Sequence, residues 1–129
     1  MPHLTIQATA NVVIEQPQSL LQTLNQALWD SGEFVQSAEI KSRIMTVNDF
    51  LVGIDVGDNE QTQGFVYTEL KVMAGRNEET KQYMANLVMA GLQQYFSQQS
   101  SNIAHQVDVQ LCVEVVEISS VYQKQSLSL

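Results

Sequence analysis

Two helical segments, each flanked by segments with the pattern of a β-strand, constrain the fold of this chain of 129 residues more than any other feature. Helix patterns that alternate with strand patterns are typical of β-α-β units, in which a helix crosses one face of a sheet. The predicted elements are strands over 3–9, 38–47, 50–56, 65–74 and 107–115, and helices over 18–30 and 78–99. We therefore expect two β-α-β halves of similar length, with a turn over 57–60 and a loop from about 53 to 64 between them.

The spacing of apolar residues supports these assignments. In the first strand Leu4, Ile6 and Ala8 alternate with polar residues, which is the pattern of a strand with one buried face. Pro2 has the same parity, so we expect it on the apolar face. The segment over 18–30 carries leucines at helical spacing, and Pro17 stands at its start, where a missing N–H costs little.

The predicted fold is of the α+β class, a mixed sheet of four or five strands with two helices on one face. Such a sheet leaves its second face without cover. Association of identical subunits around a symmetry axis would cover it, so we expect a homo-oligomer. The length corresponds to a single domain over 1–129, with a C-terminal tail over 119–129 that we expect to contact a neighbouring subunit.

Composition narrows the class of protein. With 44% hydrophobic and 16% charged residues, the chain has the composition of a soluble globular domain. A formal charge of −8 argues against nucleic acid and against an anionic membrane surface as the main partner. No apolar run is long enough to span a membrane, and the N-terminus lacks the pattern of a secretory signal. A single cysteine, Cys112, fits a reducing compartment, so we expect a cytoplasmic protein.

The few cations of this acidic chain are concentrated in its middle. Five of the six lie between residues 41 and 81: Lys41, Arg43, Lys71, Arg76 and Lys81. Such a local concentration would suit a small anionic ligand. Five solvated surface charges are the equally simple alternative at this point.

Pro2 is the first candidate for chemistry. If Met1 is removed, the mature chain begins with a secondary amine, a group that no other amino acid supplies. An α-amino group has a pKa of roughly 7.7–8.0 in model peptides. Burial or a nearby cation lowers that pKa toward the value that best suits a proton shuttle at neutral pH.

Arg76 is the second candidate, since it directly precedes a predicted helix whose expected N-cap is Asn77. The helix dipole disfavours a cation at this position. The same position suits an anion, which backbone amides and a guanidinium can hold together. An arginine that only extends into solvent is the alternative.

Other residue types give no comparable signal. The sequence contains no nucleotide-binding glycine loop, no nucleophile elbow and no pair of ligands at metal spacing. His3 lies on the strand face opposite Pro2, and we interpret it as structural. Cys112 lies within a strand and has no histidine or cation near it in sequence, which is typical of an inert thiol.

Together these features resemble the tautomerase superfamily, and within it the 5-carboxymethyl-2-hydroxymuconate δ-isomerases. The segments that carry the resemblance are Met-Pro-His at 1–3, AEIKSR at 38–43 and LKVMAGR at 70–76. Length and order of elements agree over nearly the whole chain. The resemblance implies a tandem β-α-β fold like that of macrophage migration inhibitory factor, assembled as a homotrimer with active sites near the subunit boundaries.

The resemblance also implies a function and a set of site residues. Pro2 would be the general base of an isomerase that needs no metal and no organic cofactor. Arg76 would bind a carboxylate of a small unsaturated 2-hydroxy acid, with Lys41 and Arg43 as a second anion contact. Such an enzyme would act in the catabolism of aromatic compounds.

Two departures from the family pattern leave alternatives open. The family usually has arginine where this chain has Lys41, and lysine lacks the planar fork that holds a carboxylate at two points. The loop from about 53 to 64 is also longer than usual. A trimeric anion-binding module that has lost catalysis, and an unrelated ferredoxin-like α+β ligand-binding domain, are therefore the alternative hypotheses.

Overall fold

The computed structural model describes residues 1–57, 62–99 and 107–129. The elements follow the order β-α-β-β-α-β. They are β1 (His3–Thr9), α1 (Pro17–Asp30), a single 3-10 turn (Ser37–Glu39), β2 (Lys41–Val47), β3 (Gln63–Val72), α2 (Glu78–Gln98) and β4 (Asp108–Glu117). The expected α+β class and the two β-α-β halves are confirmed.

The four strands form one mixed sheet in the order β2-β1-β3-β4. β1 pairs with β2 in parallel and with β3 antiparallel, and β3 pairs with β4 in parallel. The register places His3 between Lys41 and Lys71. Each half is thus one parallel pair, and the antiparallel contact of β1 with β3 joins the halves.

This pairing gathers four chain segments at one end of the sheet. Parallel pairing puts the start of β2 beside the start of β1, and antiparallel pairing puts the end of β3 there as well. β4 ends at the same level, and the Ile118 N–H donates to the Val72 carbonyl at 2.8 Å. The N-terminus, the turn before β2, the β3–α2 junction and the C-terminal tail therefore lie close together.

The hydrophobic core lies between one face of the sheet and the two helices. On β1 the buried side chains are Leu4, Ile6 and Ala8, as the alternation predicted. The helices contribute the remaining buried stripe: Leu20, Leu24 and Leu28 of α1, and Met84, Val88 and Leu92 of α2. Gly91 brings the helices together, because a Cβ at that position would lie 2.6 Å from Cδ2 of Leu24.

Within residues 1–57, 62–99 and 107–129, no helix packs on the other face of the sheet, which carries many polar side chains. We call it the open face; it includes His3 and Thr5 of β1 and the residues in register with them on the other strands. Tyr67 of β3 donates a hydrogen bond to Glu114 of β4, and this bond raises the pKa of Tyr67 to about 12. No described helix is long and apolar enough to cross a membrane.

Two sequence predictions need correction. The expected strand over 50–56 is wrong: this segment is irregular, with bends at 52–54, and Ile54 and Val56 are almost fully exposed. β2 begins at Lys41 rather than at residue 38, because residues 37–39 form the 3-10 turn. The turn expected at 57–60 lies largely outside the described residues, and Gly57 itself has a positive φ of 112°.

We predict that Leu24→Ala destabilises the fold strongly, whereas Leu127→Ala does not. Leu24 is fully buried between the helices, and the substitution leaves a cavity that typically costs about 2–5 kcal/mol. Leu127 in the tail is 75% exposed, so the same change should alter the free energy of unfolding by less than about 0.5 kcal/mol. Urea unfolding at one fixed protein concentration measures both, and equal effects would contradict the assignment of the core.

Candidate functional site

A pocket of about 320 Å³ lies at the end of the sheet where the four segments meet. Its lining comes from the N-terminus, from the segment that follows α1 and from the β3–α2 junction. The lining residues are Met1, Glu33, Phe34, Val35, Gln36, Glu39 and Arg76. Its volume is at the lower end of the range for ligand sites, which fits a small organic ligand.

The terminal amine of this pocket belongs to Met1 in the chain as it stands. Partial burial is the main cause that lowers the pKa of this amine below its ordinary value. The positive charges of Arg76, Lys41 and Lys124 lower the pKa further, and the negative charge of Glu39 opposes them. The site therefore favours a neutral amine.

Pro2, the next residue, is buried at the start of β1, as its parity predicted. Its carbonyl accepts a hydrogen bond from the Lys41 N–H at 3.1 Å, which extends the β1–β2 pairing by one residue. The backbone of the first two residues is thus fixed against the sheet, and the proline ring lies on the same face as the core.

Arg76 is held against the segment after α1 by three contacts. Its Nε donates to Oε1 of Glu33 at 3.3 Å, and a terminal guanidinium nitrogen donates to the Glu33 carbonyl at 2.8 Å. The guanidinium carbon also lies 5.0 Å from the centre of the Phe34 ring, a cation–π distance. Asn77 caps α2, as predicted, by accepting from the Thr80 N–H at 2.8 Å, which fixes the backbone beside Arg76.

A second acid and cation pair lies on the other side of the amine. Nζ of Lys124, in the C-terminal tail, is 2.9 Å from Oε1 of Glu39. This hydrogen bond is the main cause that lowers the pKa of the Glu39 carboxyl. The same Nζ lies 3.4 Å from the sulfur of Met1, and Nζ of Lys41 donates to the Glu39 carbonyl at 3.2 Å.

His3 links the open face to the tail. The Arg43 guanidinium, which can only donate, lies 2.8 Å from Nδ1 of His3, so that nitrogen accepts. Nε2 then carries the proton of the neutral ring and donates to the Tyr122 hydroxyl at 2.9 Å. Partial burial, followed by the charges of Arg43 and Lys41, lowers the pKa of His3.

The structure brings two of the sequence candidates close to the pocket and sets two apart. Arg76 lines the pocket, and Pro2 directly follows Met1, another lining residue. Lys41 lines the larger groove beside α1, but its charge lowers the pKa of the terminal amine. Lys41 and Arg43 are in register with His3 and Thr5, so both have the parity of the open face, and Arg43 contacts His3 there.

Sequence reasoning missed Glu33, Phe34 and Glu39, which line the pocket, and the tail residues that approach it. None of them belongs to a motif. For Lys124, the one weak signal was that it is the sole cation outside the cluster over 41–81.

A larger groove of about 790 Å³ runs between α1 and the edge of β2. Side-chain amides dominate its α1 side, and it holds neither the terminal amine nor Arg76. We therefore place the candidate site in the smaller pocket, where a titratable amine and a guanidinium converge. Among the described residues, no three acidic, histidine or cysteine side chains are grouped as a metal site would require.

Comparisons with known proteins identify a family and a shared fold. Residues 2–128 match the family model described as 5-carboxymethyl-2-hydroxymuconate isomerase. A crystal structure of a 5-carboxymethyl-2-hydroxymuconate isomerase from Deinococcus radiodurans R1 superposes with a TM-score of 0.77 at 26% identity, covering 97% of this chain and 90% of that one.

Two further structures share the fold at lower identity. A 5-carboxymethyl-2-hydroxymuconate δ-isomerase has a TM-score of 0.77 at 16% identity, with 98% of this chain and 88% of that chain covered. A fused 4-OT described as a symmetric trimer has a TM-score of 0.58 at 15% identity, with 89% and 85% covered. The comparison with curated protein sequences gives no match.

We predict that the His3 contacts make the protein less stable below about pH 6.5. The folded-state pKa of His3 lies below the unfolded value. Above the unfolded pKa both states are neutral and His3 has no effect. As the pH falls through 6.5 the unfolded state binds the proton first, and the free energy of unfolding decreases until the folded-state pKa is passed.

Arg43→Gln tests the cause of this shift. Loss of the guanidinium charge should raise the pKa of His3, which NMR of the ring protons measures. The free energy of unfolding should then depend less on pH in the acidic range. Lys81→Gln is the matched control, because it removes one positive charge that pairs with Glu117 and Glu78 away from His3. An equal response in both variants would contradict the assigned contact.

Proposed function

This chain belongs to the 5-carboxymethyl-2-hydroxymuconate isomerase family, and from that premise we propose that it is a tautomerase with a terminal proline as its general base. The proposed reaction is a cofactor-free proton transfer on a small unsaturated 2-hydroxy dicarboxylate such as 5-carboxymethyl-2-hydroxymuconate. The observation that carries the proposal is a terminal amine of lowered pKa in a pocket that also holds Arg76.

The proposal requires removal of Met1, which transfers the amine to the ring nitrogen of Pro2. Two observations support this: Pro2 is buried with its carbonyl bonded to the Lys41 N–H, and Met1 directly before it lines the pocket, so that its loss would enlarge the space beside Pro2. A base that is neutral near neutral pH can accept a proton without first losing one.

Arg76 is the proposed contact for a substrate carboxylate. In the free chain its guanidinium contacts the side chain of Glu33, an internal carboxylate at 3.3 Å. An incoming carboxylate would use the same donors, and the stacking on Phe34 would keep the guanidinium in place. Lys41 adds positive charge from the start of β2.

The proposed chemistry moves one proton and leaves the oxidation state of the substrate unchanged. Neutral Pro2 takes a proton from a hydroxyl or carbon next to the conjugated carbonyl, and the electron pair of that bond shifts into the conjugated system. The positive charges stabilise the resulting enolate. The protonated Pro2 then returns its proton to another carbon of the same molecule, which completes the isomerisation.

A homotrimer is the proposed assembly. A structural neighbour is described as a symmetric trimer, and no helix among the described residues covers the open face of the sheet. Packing of this face against other subunits would bring Arg43 to a subunit boundary, so its role as a second anion contact requires a site shared between subunits. The single thiol suits a cytoplasmic enzyme, and the family name suits a role in aromatic catabolism.

We predict that Pro2→Ala lowers kcat by up to roughly 10²–10⁴-fold, the scale of positioned acid–base catalysis, with a much smaller change in KM. The reason is that a primary amine replaces the secondary amine that is packed against the sheet. Steady-state kinetics with 2-hydroxymuconate measures the effect after mass spectrometry has established that Met1 is absent.

Pro17→Ala is the control for loss of a proline, since Pro17 begins α1 away from the pocket. An unchanged kcat in Pro2→Ala would reject the general base. A wild-type protein that binds the substrate without turnover would favour the inactive anion-binding module instead.

We predict that Arg76→Lys raises KM for a dicarboxylate roughly tenfold or more and leaves kcat less affected, because lysine keeps the charge but loses the fork. Glu33→Gln is the matched comparison, because it keeps Arg76 and removes the internal carboxylate, so KM should stay equal or fall. If both variants raise KM alike, the Arg76–Glu33 contact is structural and the substrate role fails.

A further inference from the structure

The C-terminal tail crosses the end of the sheet on which the proposed active site lies. It leaves β4 at the outer edge and passes β3 to reach β1, where the Tyr122 hydroxyl accepts from His3. Two residues further on, Lys124 reaches the turn before β2 and pairs with Glu39. The tail thus spans the sheet end from one edge strand to the other.

The pocket contains two acids, and both work against the proposed chemistry. A free carboxylate beside the amine favours its protonated form, and it repels an anionic substrate. The structure pairs each acid with one cation: Glu33 with Arg76 at 3.3 Å and Glu39 with Lys124 at 2.9 Å. The second cation comes from the tail, far from Glu39 in sequence.

We propose that Lys124 is a positioning residue of the active site, which holds Glu39 in an ion pair and so keeps the pocket receptive to an anionic substrate. This inference rests on the proposed function, because it concerns the same amine and the same pocket. The argument is geometric: Nζ of Lys124 lies 2.9 Å from Oε1 of Glu39, whereas the backbone carbonyl of Glu39 accepts from Lys41.

The pairing should also act on protonation of the amine. Lys124 lowers the pKa of the terminal amine, Glu39 raises it, and Arg76 and Lys41 lower it from the other sides. Glu33, across the pocket, is engaged by Arg76. Loss of Lys124 therefore removes one favourable charge and leaves the Glu39 carboxylate without its partner, and both changes favour the protonated amine.

Four proteins test the proposal: wild type, Lys124→Gln, Glu39→Gln and the double variant. Lys124→Gln should raise KM for 2-hydroxymuconate roughly two- to fivefold, the scale of a partly exposed ion pair. It should also move the acidic limb of the kcat/KM profile to higher pH. Glu39→Gln should move that limb to lower pH, and adding Lys124→Gln to it should have a smaller effect than in the wild type, because only the direct charge of Lys124 on the amine is then lost.

The proposal is overturned if the effects of Lys124→Gln and Glu39→Gln on KM and on the pH profile are additive. If Lys124→Gln has the same effect with and without the Glu39 carboxylate, Lys124 acts through folding of the tail or by direct contact and not through Glu39. An unchanged KM and pH profile in Lys124→Gln would overturn it as well. Lys81→Gln serves as the control, because Lys81 also bridges two acids but lies at α2, away from the pocket.

A titration separates failure of this inference from failure of the proposed function. NMR of protein labelled with ¹⁵N-proline follows the amine of the processed chain without any turnover. Its pKa should rise in Lys124→Gln and fall in Glu39→Gln even if no protein in the series isomerises the substrate. If the wild type is active and the amine titrates identically in all four proteins, the inference fails and the enzyme assignment stands.

Discussion

The pairing of β1 with a parallel neighbour on one side and an antiparallel neighbour on the other determines which chain segments meet at the candidate site. Parallel strands start at the same end of a sheet, whereas an antiparallel neighbour ends where its partner starts. Because β1 begins at His3, the N-terminus, the turn before β2 and the β3–α2 junction must meet at one place. The site therefore depends on the strand topology, because its residues lie far apart in the sequence, from Met1 to Lys124.

Charge balance within the pocket depends on this convergence. An amine that is to remain neutral needs cations and partial burial around it, and a pocket for an anion needs its acids engaged. Arg76 and Lys124 each engage one acid; Arg76 follows β3, and Lys124 lies in the tail after β4. In a chain with a net charge of −8, these two pairs offset the charges of both acids that line the pocket.

Much of the fold was predictable, because local patterns record which face of an element is buried. Alternation in β1 placed Pro2 on the core face, and the polar residue before two acids identified Asn77 as the cap of α2. The segment over 50–56 was misassigned because a short apolar run does not by itself specify a strand; the backbone there is irregular, and Ile54 and Val56 are exposed.

The pocket itself was only partly predictable. Pro2 and Arg76 carry recognisable chemistry at recognisable positions. Glu33, Glu39 and Lys124 do not, since an acid or a lysine in a polar segment has the same local pattern whether or not it faces a ligand. Their roles depend on contacts across more than 40 residues, which periodicity cannot record.

Because β1 lies between β2 and β3 in the sheet, the start of the chain becomes enclosed only after both of these strands have been synthesised. Pro2 is buried, and its carbonyl is bonded to the first residue of β2. In the finished fold, the peptide bond between Met1 and Pro2 is therefore poorly accessible to a peptidase. On the ribosome the same bond is exposed until β2 and β3 have been translated. Under the proposed function, removal of Met1 is therefore easier before the sheet closes than afterwards, and folded protein that keeps Met1 would lack the secondary amine.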